Sequence, residues 1–353
     1  MGAGGRGRGE SARRLPLGVN DLNALPLHDL LPALSVNDAV TRLLAIAGEE
    51  DLGPGAKPGD VTSQCSIPPD RWADGLIVAR EPGVLSGIVV LPQVMSMLAA
   101  DGQLSFRAQD GDRVRAGQTV AMLTAPMYQV LRAERLMLNL LGRMSGIATR
   151  TAEFVEAIRG TEALVLDTRK TTPGWRALEK YAVRCGGGHL HRVGLFDAVL
   201  FKDNHIFGVT PKELPAWVTA ASDKARRAAA AAGETLRFVE VEVTSLEQLE
   251  WLFRAGVCSP GTPGGVDIVL LDNMAPDLLA KAVEMRAQVG GEQARVRFEA
   301  SGGVRLDTIR DIAESGVERI SVGGLTHHAV SLDFSMDVQD TANPRTVRGD
   351  DRA

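Results

Sequence analysis

The chain has 353 residues, 44% of them hydrophobic, and a formal net charge of −5. Such a length allows one large domain or two ordinary ones with ample core. The acidic balance argues against general nucleic-acid binding, which wants a basic face, and no apolar stretch reaches membrane-spanning length.

Met1–Arg14 is rich in Gly and Arg with no apolar run behind it, so it does not read as a secretory signal, and 1–34 is expected to be a mobile or loosely docked extension. Val36–Glu49 predicts a helix, with Val40, Leu43, Leu44 and Ala47 on one face and Ser35 or Asn37 as cap. Asp51–Pro69 reads as a Gly/Pro-rich loop. Gly75–Arg80, Gly83–Leu85, Leu104–Ala108 and Gln118–Leu123 read as short strands around turns at Glu81-Pro82-Gly83 and Asp110-Gly111-Asp112. Together they predict a small α+β unit of mostly antiparallel strands. Val130–Ile158 is the longest helical pattern, expected to break near Gly142 and Gly146. Ser222–Ala232 is an alanine-rich surface helix ended by Gly233, Cys258–Gly265 is a Gly/Pro loop, and the tail from Asp340 is expected to be disordered. The three cysteines, Cys65, Cys185 and Cys258, have neither CxxC nor zinc spacing, which suits a reduced, cytoplasmic compartment.

Six runs in the second half carry the chemistry: Ala163–Lys170, Ala198–Asn204, Arg237–Thr244, Val266–Asn273, Val296–Gly303 and Arg319–Thr326. Each opens apolar, as buried parallel strands do, and ends in polar or charged residues, glycine, or a mixture. In a β/α barrel the strand C-termini gather on one face, so these ends would converge there.

Cations crowd two of the loops: Arg169 and Lys170 on one, His191, Arg192 and Lys202 around the next, with Arg135 and Arg143 on the long helix. Arg offers bidentate recognition of carboxylate or phosphate and Lys a mobile charge, so the cluster suits a polyanionic substrate. Ser301-Gly302-Gly303 and Gly323-Gly324, on the last two strands, have the makings of paired phosphate cradles, the first backed by a predicted helix over Leu306–Ser315. Glu242 and Asp272 end neighbouring strands, and beside a polyanion they suit Mg²⁺ or sugar hydroxyls. Glu240 shares the period-2 face of Glu242. His189 and His191 lack a third ligand spaced for a metal, and Arg192 beside them fits anion binding better. A Schiff-base aldolase or decarboxylase using Lys170 or Lys202 is a rival reading.

Asp167-Thr168-Arg169-Lys170-Thr171-Thr172-Pro173-Gly174, Glu179-Lys180-Tyr181-Ala182-Val183, Cys185-Gly186-Gly187-Gly188, His191-Arg192 and Lys202-Asp203-Asn204-His205 carry a resemblance. With Ala133-Glu134-Arg135, Ser145-Gly146-Ile147-Ala148-Thr149, Val239-Glu240-Val241-Glu242, Leu271-Asp272-Asn273-Met274, Glu299-Ala300-Ser301-Gly302-Gly303 and Leu325-Thr326, they resemble the quinolinate phosphoribosyltransferase family, in order, from about Val36 to Val338. The resemblance implies an α/β fold: a small N-terminal α+β sandwich domain (35–149, completed by 330–339) and an open β/α barrel of type II phosphoribosyltransferase kind (150–329), with 340–353 as tail.

It also implies quinolinate and phosphoribosyl pyrophosphate as substrates, Mg²⁺ as cofactor, and a homodimer or higher oligomer with shared active sites. By motif, Arg135 would reach the partner's site, and Thr168, Arg169, Lys170, His191, Arg192 and Lys202 would surround quinolinate and the phosphates. Glu242 and Asp272 would face ribose and Mg²⁺, these two acids with Lys170 and Lys202 forming the catalytic set. Ser301, Gly302, Gly303, Gly323, Gly324 and His327 would complete substrate binding. Leu190 departs from the family, standing where Asn or another small polar residue is usual. Phe196 and Phe201 are bulkier than common, and 222–233 and 258–265 are longer.

Overall fold

The structure, a computed structural model, describes residues 22–53 and 59–343. The expectation for 1–21 and for the tail beyond 343 lies outside the described residues. Residues 22–34, expected to be loose, are instead docked: a 3-10 turn at Leu22–Ala24 leads into helix α1 (Leu27–Leu34), burying Leu22, Leu30, Leu31 and Leu34. Leucines at one-face spacing explain the docking, since each fully buried side chain contributes roughly 1.5–3 kcal/mol. Asn37 and Asp38 both take left-handed backbone (φ 52° and 55°), so the next helix, α2, starts late, at Ala39–Leu52. Ser35 Oγ accepts the Val40 N–H. The expected loop before Pro69 contains a short helix, α3 (Val61–Ser66), capped by Asp60, whose carboxylate accepts the Ser63 N–H at 3.0 Å.

The small unit then runs β1 (Trp72–Ala79), β2 (Gly83–Val84), α4 (Leu91–Leu98), β3 (Gln103–Phe106), β4 (Arg113–Val114) and β5 (Thr119–Pro126). Next comes α5 (Met127–Ala157), a single 31-residue helix. Gly142 and Gly146 do not break it. They let another chain segment lie against it: an added Cβ at Gly146 would meet the Val330 carbonyl oxygen at 2.0 Å, and one at Gly142 the Leu332 oxygen at 2.9 Å.

Beyond α5 the chain alternates: β6 (Leu164–Leu166), α6 (Arg176–Cys185), β7 (Val199–Phe201), α7 (Leu214–Ala231), β8 (Val239–Val243), α8 (Leu246–Arg254), β9 (Ile268–Asp272), α9 (Pro276–Val289), β10 (Arg297–Ser301), α10 (Ile309–Glu314), β11 (Arg319–Ser321) and α11 (Gly324–His327). The strands form a parallel sheet in the order β6-β11-β10-β9-β8-β7. First and last strands of the series therefore pair, and the seam lies between β6 and β7, which is the open barrel expected. The chain returns as β12 (Phe334–Thr341), giving the four-stranded antiparallel sheet β12-β1-β5-β3. Asp340, expected in a disordered tail, sits in that strand and pairs with Arg71 at 2.8 Å.

No single helix among the described residues is long and apolar enough to cross a membrane.

Candidate active site

A cavity of about 810 Å³ opens at the C-terminal ends of the barrel strands, lined among others by Thr168, Arg169, Lys170, His191, Arg192, Lys202, Asp272, Ser301, Gly302, Gly303, Gly323, Gly324 and His327. Five strand ends, those of β6, β7, β9, β10 and β11, converge there with the 191–192 segment as barrel geometry requires, while Glu242 at the end of β8 does not line the cavity and meets it through Lys202. A hollow of similar size (about 790 Å³) lies beside Pro215, Trp251 and Pro263 and gathers none of these residues.

On the β6 side the cations rest on buried ion pairs. Asp167 and Lys180 are both fully buried, with Lys180 Nζ 2.6 and 2.7 Å from the two carboxylate oxygens. Burial pushes the Asp167 carboxyl up and the Lys180 ammonium down. The contact to both oxygens opposes both shifts. Asp167 also accepts the His191 N–H at 2.8 Å.

The His191 ring is buried with Nε2 3.0 Å from Glu240 and 3.3 Å from Glu299, and Glu299 is held from behind by Arg319 Nε at 2.8 Å. Burial alone would lower the His191 pKa, but the charges of Glu299 and Glu240 outweigh it and raise it to about 9. Burial would raise Glu299, yet His191 and Arg319 bring it down to about 2. Burial, then Glu299, pushes Glu240 up. Nδ1 lies 2.7 Å from the Arg192 N–H, a bond the ring accepts only while Nδ1 carries no proton, so protonation of His191 would break it.

Sequence spacing alone had offered His191 no further ligands. The barrel brings Glu240 and Glu299 to it, three groups close enough to hold a metal. With His191 protonated, it and Arg319 set two cations against Glu240 and Glu299, so the cluster reads as an ion-pair network.

On the opposite side the pocket is built from backbone. Gly302 and Gly303 take positive φ (92° and 59°), and an added Cβ on Gly302 would meet Asn273 Oδ1 at 2.7 Å. Asn273, itself left-handed (φ 57°), donates its N–H to the Ser301 carbonyl at 2.8 Å. Lys170 lies across Gly323, where a Cβ would meet its Cδ at 2.8 Å. The helix expected at Leu306 begins only at Ile309, because Val304–Thr308 forms an intervening turn in which Arg305 N–H is bonded by Thr308 Oγ1. Its N-terminus therefore does not directly back Ser301–Gly303. Gly323-Gly324 does lead straight into a helix, the short α11.

Between the two sides, Lys202 Nζ pairs with Glu242 at 2.8 Å, and Asp272 is half-buried, its pKa raised by burial and then by the Glu242 charge.

Two expected cations are elsewhere. Arg143 is fully committed to structure, donating to Ala329 O, Thr326 O and Glu179 Oε1 at 2.8–2.9 Å, so it does not join the anion cluster. Arg135 is 65% exposed beside Glu134 and does not line the pocket. Conversely, Arg150, Arg305 and His328 line it without having been singled out. Arg150 donates to the Gly324 carbonyl at 2.7 Å, a contact that position on a long helix does not reveal. The His327 and His328 rings meet edge-on at 4.1 Å, and burial followed by His328 lowers the His327 pKa.

A parallel barrel with glycine cradles on one rim and an arginine–lysine cluster on the other defines an enzyme for a polyanionic, phosphate-bearing substrate. The comparisons specify which. The chain matches the family models for the quinolinate phosphoribosyl transferase N-terminal domain over 60–145 and C-terminal domain over 147–337, and it belongs to that family. It is 38% identical over 289 residues to a probable nicotinate-nucleotide pyrophosphorylase (carboxylating) of Bacillus subtilis, covering 82% of this chain and 90% of that protein. It is 40% identical over 303 residues to the nicotinate-nucleotide pyrophosphorylase (carboxylating) of Mycobacterium leprae, covering 85% and 98%. Among solved structures, the nicotinate-nucleotide pyrophosphorylase of Francisella tularensis superposes with a TM-score of 0.72 at 34% identity, covering 90% of this chain and 99% of that one.

Proposed function

We infer that this chain transfers the phosphoribosyl group of phosphoribosyl pyrophosphate to quinolinate, giving nicotinate mononucleotide, pyrophosphate and CO₂, a step of NAD biosynthesis. The observation that carries the residue assignment is the single pocket with two chemically different rims. Arg169, Arg192, Lys202 and Thr168 supply charge and hydrogen bonds for the two ring carboxylates, holding the ring nitrogen in line with the anomeric carbon. The backbone of Ser301–Gly303 and of Gly323-Gly324, with His327, supports a 5′-phosphate.

As the sugar–pyrophosphate bond lengthens, positive charge grows on the ribose and negative charge on the leaving group, which Lys170 faces. The ribosylated ring nitrogen is then cationic and stabilises the electron pair left when the neighbouring carboxylate departs as CO₂, and that carbon takes up a proton from solvent to give nicotinate mononucleotide. Buried His191 supports this arrangement from the pocket floor. The Schiff-base reading fares worse, because Lys202 is paired with a carboxylate and half-exposed, whereas imine chemistry wants a neutral amine.

Glu242 and Asp272 fit Mg²⁺. Both are hard oxygen donors, and burial followed by the Glu242 charge raises Asp272, a repulsion between the two acids that a divalent ion relieves. Bound there with substrate phosphates, Mg²⁺ would supply charge neutralisation for pyrophosphate. The free state of Cys65, Cys185 and Cys258 supports a reducing, cytoplasmic setting.

The assay is pyrophosphate and CO₂ release with quinolinate, and with nicotinate alongside, in the presence of Mg²⁺. Turnover of nicotinate but not quinolinate would overturn the substrate assignment.

The exposed Arg135 supports a homodimer in which it reaches the neighbouring barrel. Arg135→Ala and Lys202→Ala chains, each inactive alone, should then regain about a quarter of the activity when mixed, since half the dimers carry one intact composite site of two. No recovery despite proven subunit exchange would place Arg135 within its own subunit's chemistry.

A further inference from the structure

The barrel is open between β6 and β7, and the chain segment lying in that gap carries two of the pocket residues. His189 continues the sheet beside β6: its N–H donates to the Val165 carbonyl at 2.8 Å and its carbonyl accepts the Asp167 N–H at 3.0 Å. Backbone groups of successive strand residues alternate in direction. Those of the next residue, Leu190, therefore face away from β6, toward the seam, where no sheet strand receives them.

Leu190 is buried to 1% exposure, and a buried N–H and C=O left without partners would each cost about 1–3 kcal/mol. Asn23 supplies both partners. Its Oδ1 accepts the Leu190 N–H at 2.6 Å and its Nδ2 donates to the Leu190 carbonyl at 3.1 Å. One side-chain amide thus stands in for one residue of a missing strand. Arg184 ties the same turn from the other side, donating Nη1 to the Gly188 carbonyl at 3.2 Å and Nη2 to the Asn23 carbonyl at 3.0 Å.

Asn23 is anchored in turn by the burial of Leu22 and by α1 packed on α6. The two residues after Leu190 are His191 and Arg192, so a fixed Leu190 backbone sets the point from which both project.

We propose that Asn23 is a positioning residue for the reaction, closing the barrel seam so that His191 and Arg192 are held ready for the carboxylates of the base. The segment ahead of α1 is on this view part of the base-binding rim. The inference rests on the assignment of Arg192 to quinolinate. Its specific consequence is a split between the substrates, because the phosphate rim lies on β10 and β11, neither of which borders the seam.

The test uses the full chain. In Asn23→Ala the Leu190 amide should lose its protection from hydrogen exchange, and the KM for quinolinate should rise roughly tenfold, as expected for two lost hydrogen bonds, while the KM for phosphoribosyl pyrophosphate stays within about twofold. Asn23→Asp keeps the acceptor for Leu190 N–H but turns a carboxylate oxygen toward the Leu190 carbonyl, so it should retain amide protection while the quinolinate KM still rises. It carries the test if the alanine variant does not fold. Unchanged Leu190 exchange in Asn23→Ala, or equal rises in both KM values, would overturn the proposal, as would loss of Leu190 amide protection in Asn23→Asp. Arg192→Ala serves as the control: no change in quinolinate KM there would overturn the site assignment itself, leaving the Leu190 exchange result to judge the clasp.

Discussion

The two rims of the pocket hold anions by different means. The phosphate rim is made of backbone: Gly302 and Gly303 with positive φ, and Gly323 with Lys170 lying across it. The base rim is made of side chains fixed by charge: Asp167 with Lys180, and His191 with Glu240, Glu299 and Arg319. A backbone cradle needs only local conformation. A charged rim needs counter-charges brought from other strands, because an isolated buried charge would neutralise rather than bind. The phosphate rim should therefore respond to changes of shape and the base rim to changes of charge.

The largest effect is expected beneath the base rim. Lys180→Met strands the fully buried Asp167 without a counter-charge, and breaking a buried pair from one side typically costs about 3–5 kcal/mol. Denaturant unfolding should show that loss, and quinolinate binding should suffer with it because Asp167 also holds the His191 N–H. A loss below about 1 kcal/mol would mean that the pair is neutral in the folded protein.

At the phosphate rim, Gly302→Val forces a side chain onto backbone at φ 92° and against Asn273. Strain of this kind costs about 1–3 kcal/mol, so phosphoribosyl pyrophosphate affinity should fall by roughly tenfold to a hundredfold. Quinolinate binding measured alone by calorimetry should change little. Equal weakening of both ligands would erase the distinction between the rims.

The contrast also explains what could be read in advance. Glycine pairs after apolar runs signal a cradle from a few adjacent residues, and the run endings at Lys170, Lys202, Glu242 and Asp272 follow from period-2 strands and barrel geometry. The continuity of α5 through Gly142 and Gly146 was not legible, because the reason for those glycines is the approach of 330–332. Nor was the docking of 22–34 or the clasp of Asn23 on a residue 167 positions away. Nothing in the neighbourhood of Glu299 or Arg319 announces that they support His191. These features depend on which segments the fold brings together, and local spacing is silent about that. Leu190 illustrates the point: as a departure from the family pattern it raises a question about the orientation of His191, and the support it meets comes from the opposite end of the chain.

The smallest and most selective change is Glu299→Gln, which keeps an oxygen for Arg319 while removing one of the two charges facing His191. With Glu299 and Glu240 facing it, the ring's pKa is raised to about 9, against an ordinary value of 6.5. A folded-state pKa raised in this way contributes stability that is complete below the unfolded value and is lost as pH rises through the folded one. For His191 that window runs from about 6.5 to 9. Removing Glu299's charge weakens the ring's hold on its proton, so the pKa must fall and the window narrow from its alkaline end. If the charged ring supports binding of a dianionic base, kcat/KM for quinolinate in the variant should decline at lower pH than in the parent. The pH profile for phosphoribosyl pyrophosphate at saturating quinolinate should barely move. The difference between the two profiles isolates the His191 contribution. Superimposable profiles would mean that His191 acts through its packing and its hold on Arg192, with its charge playing no part in the choice of substrate.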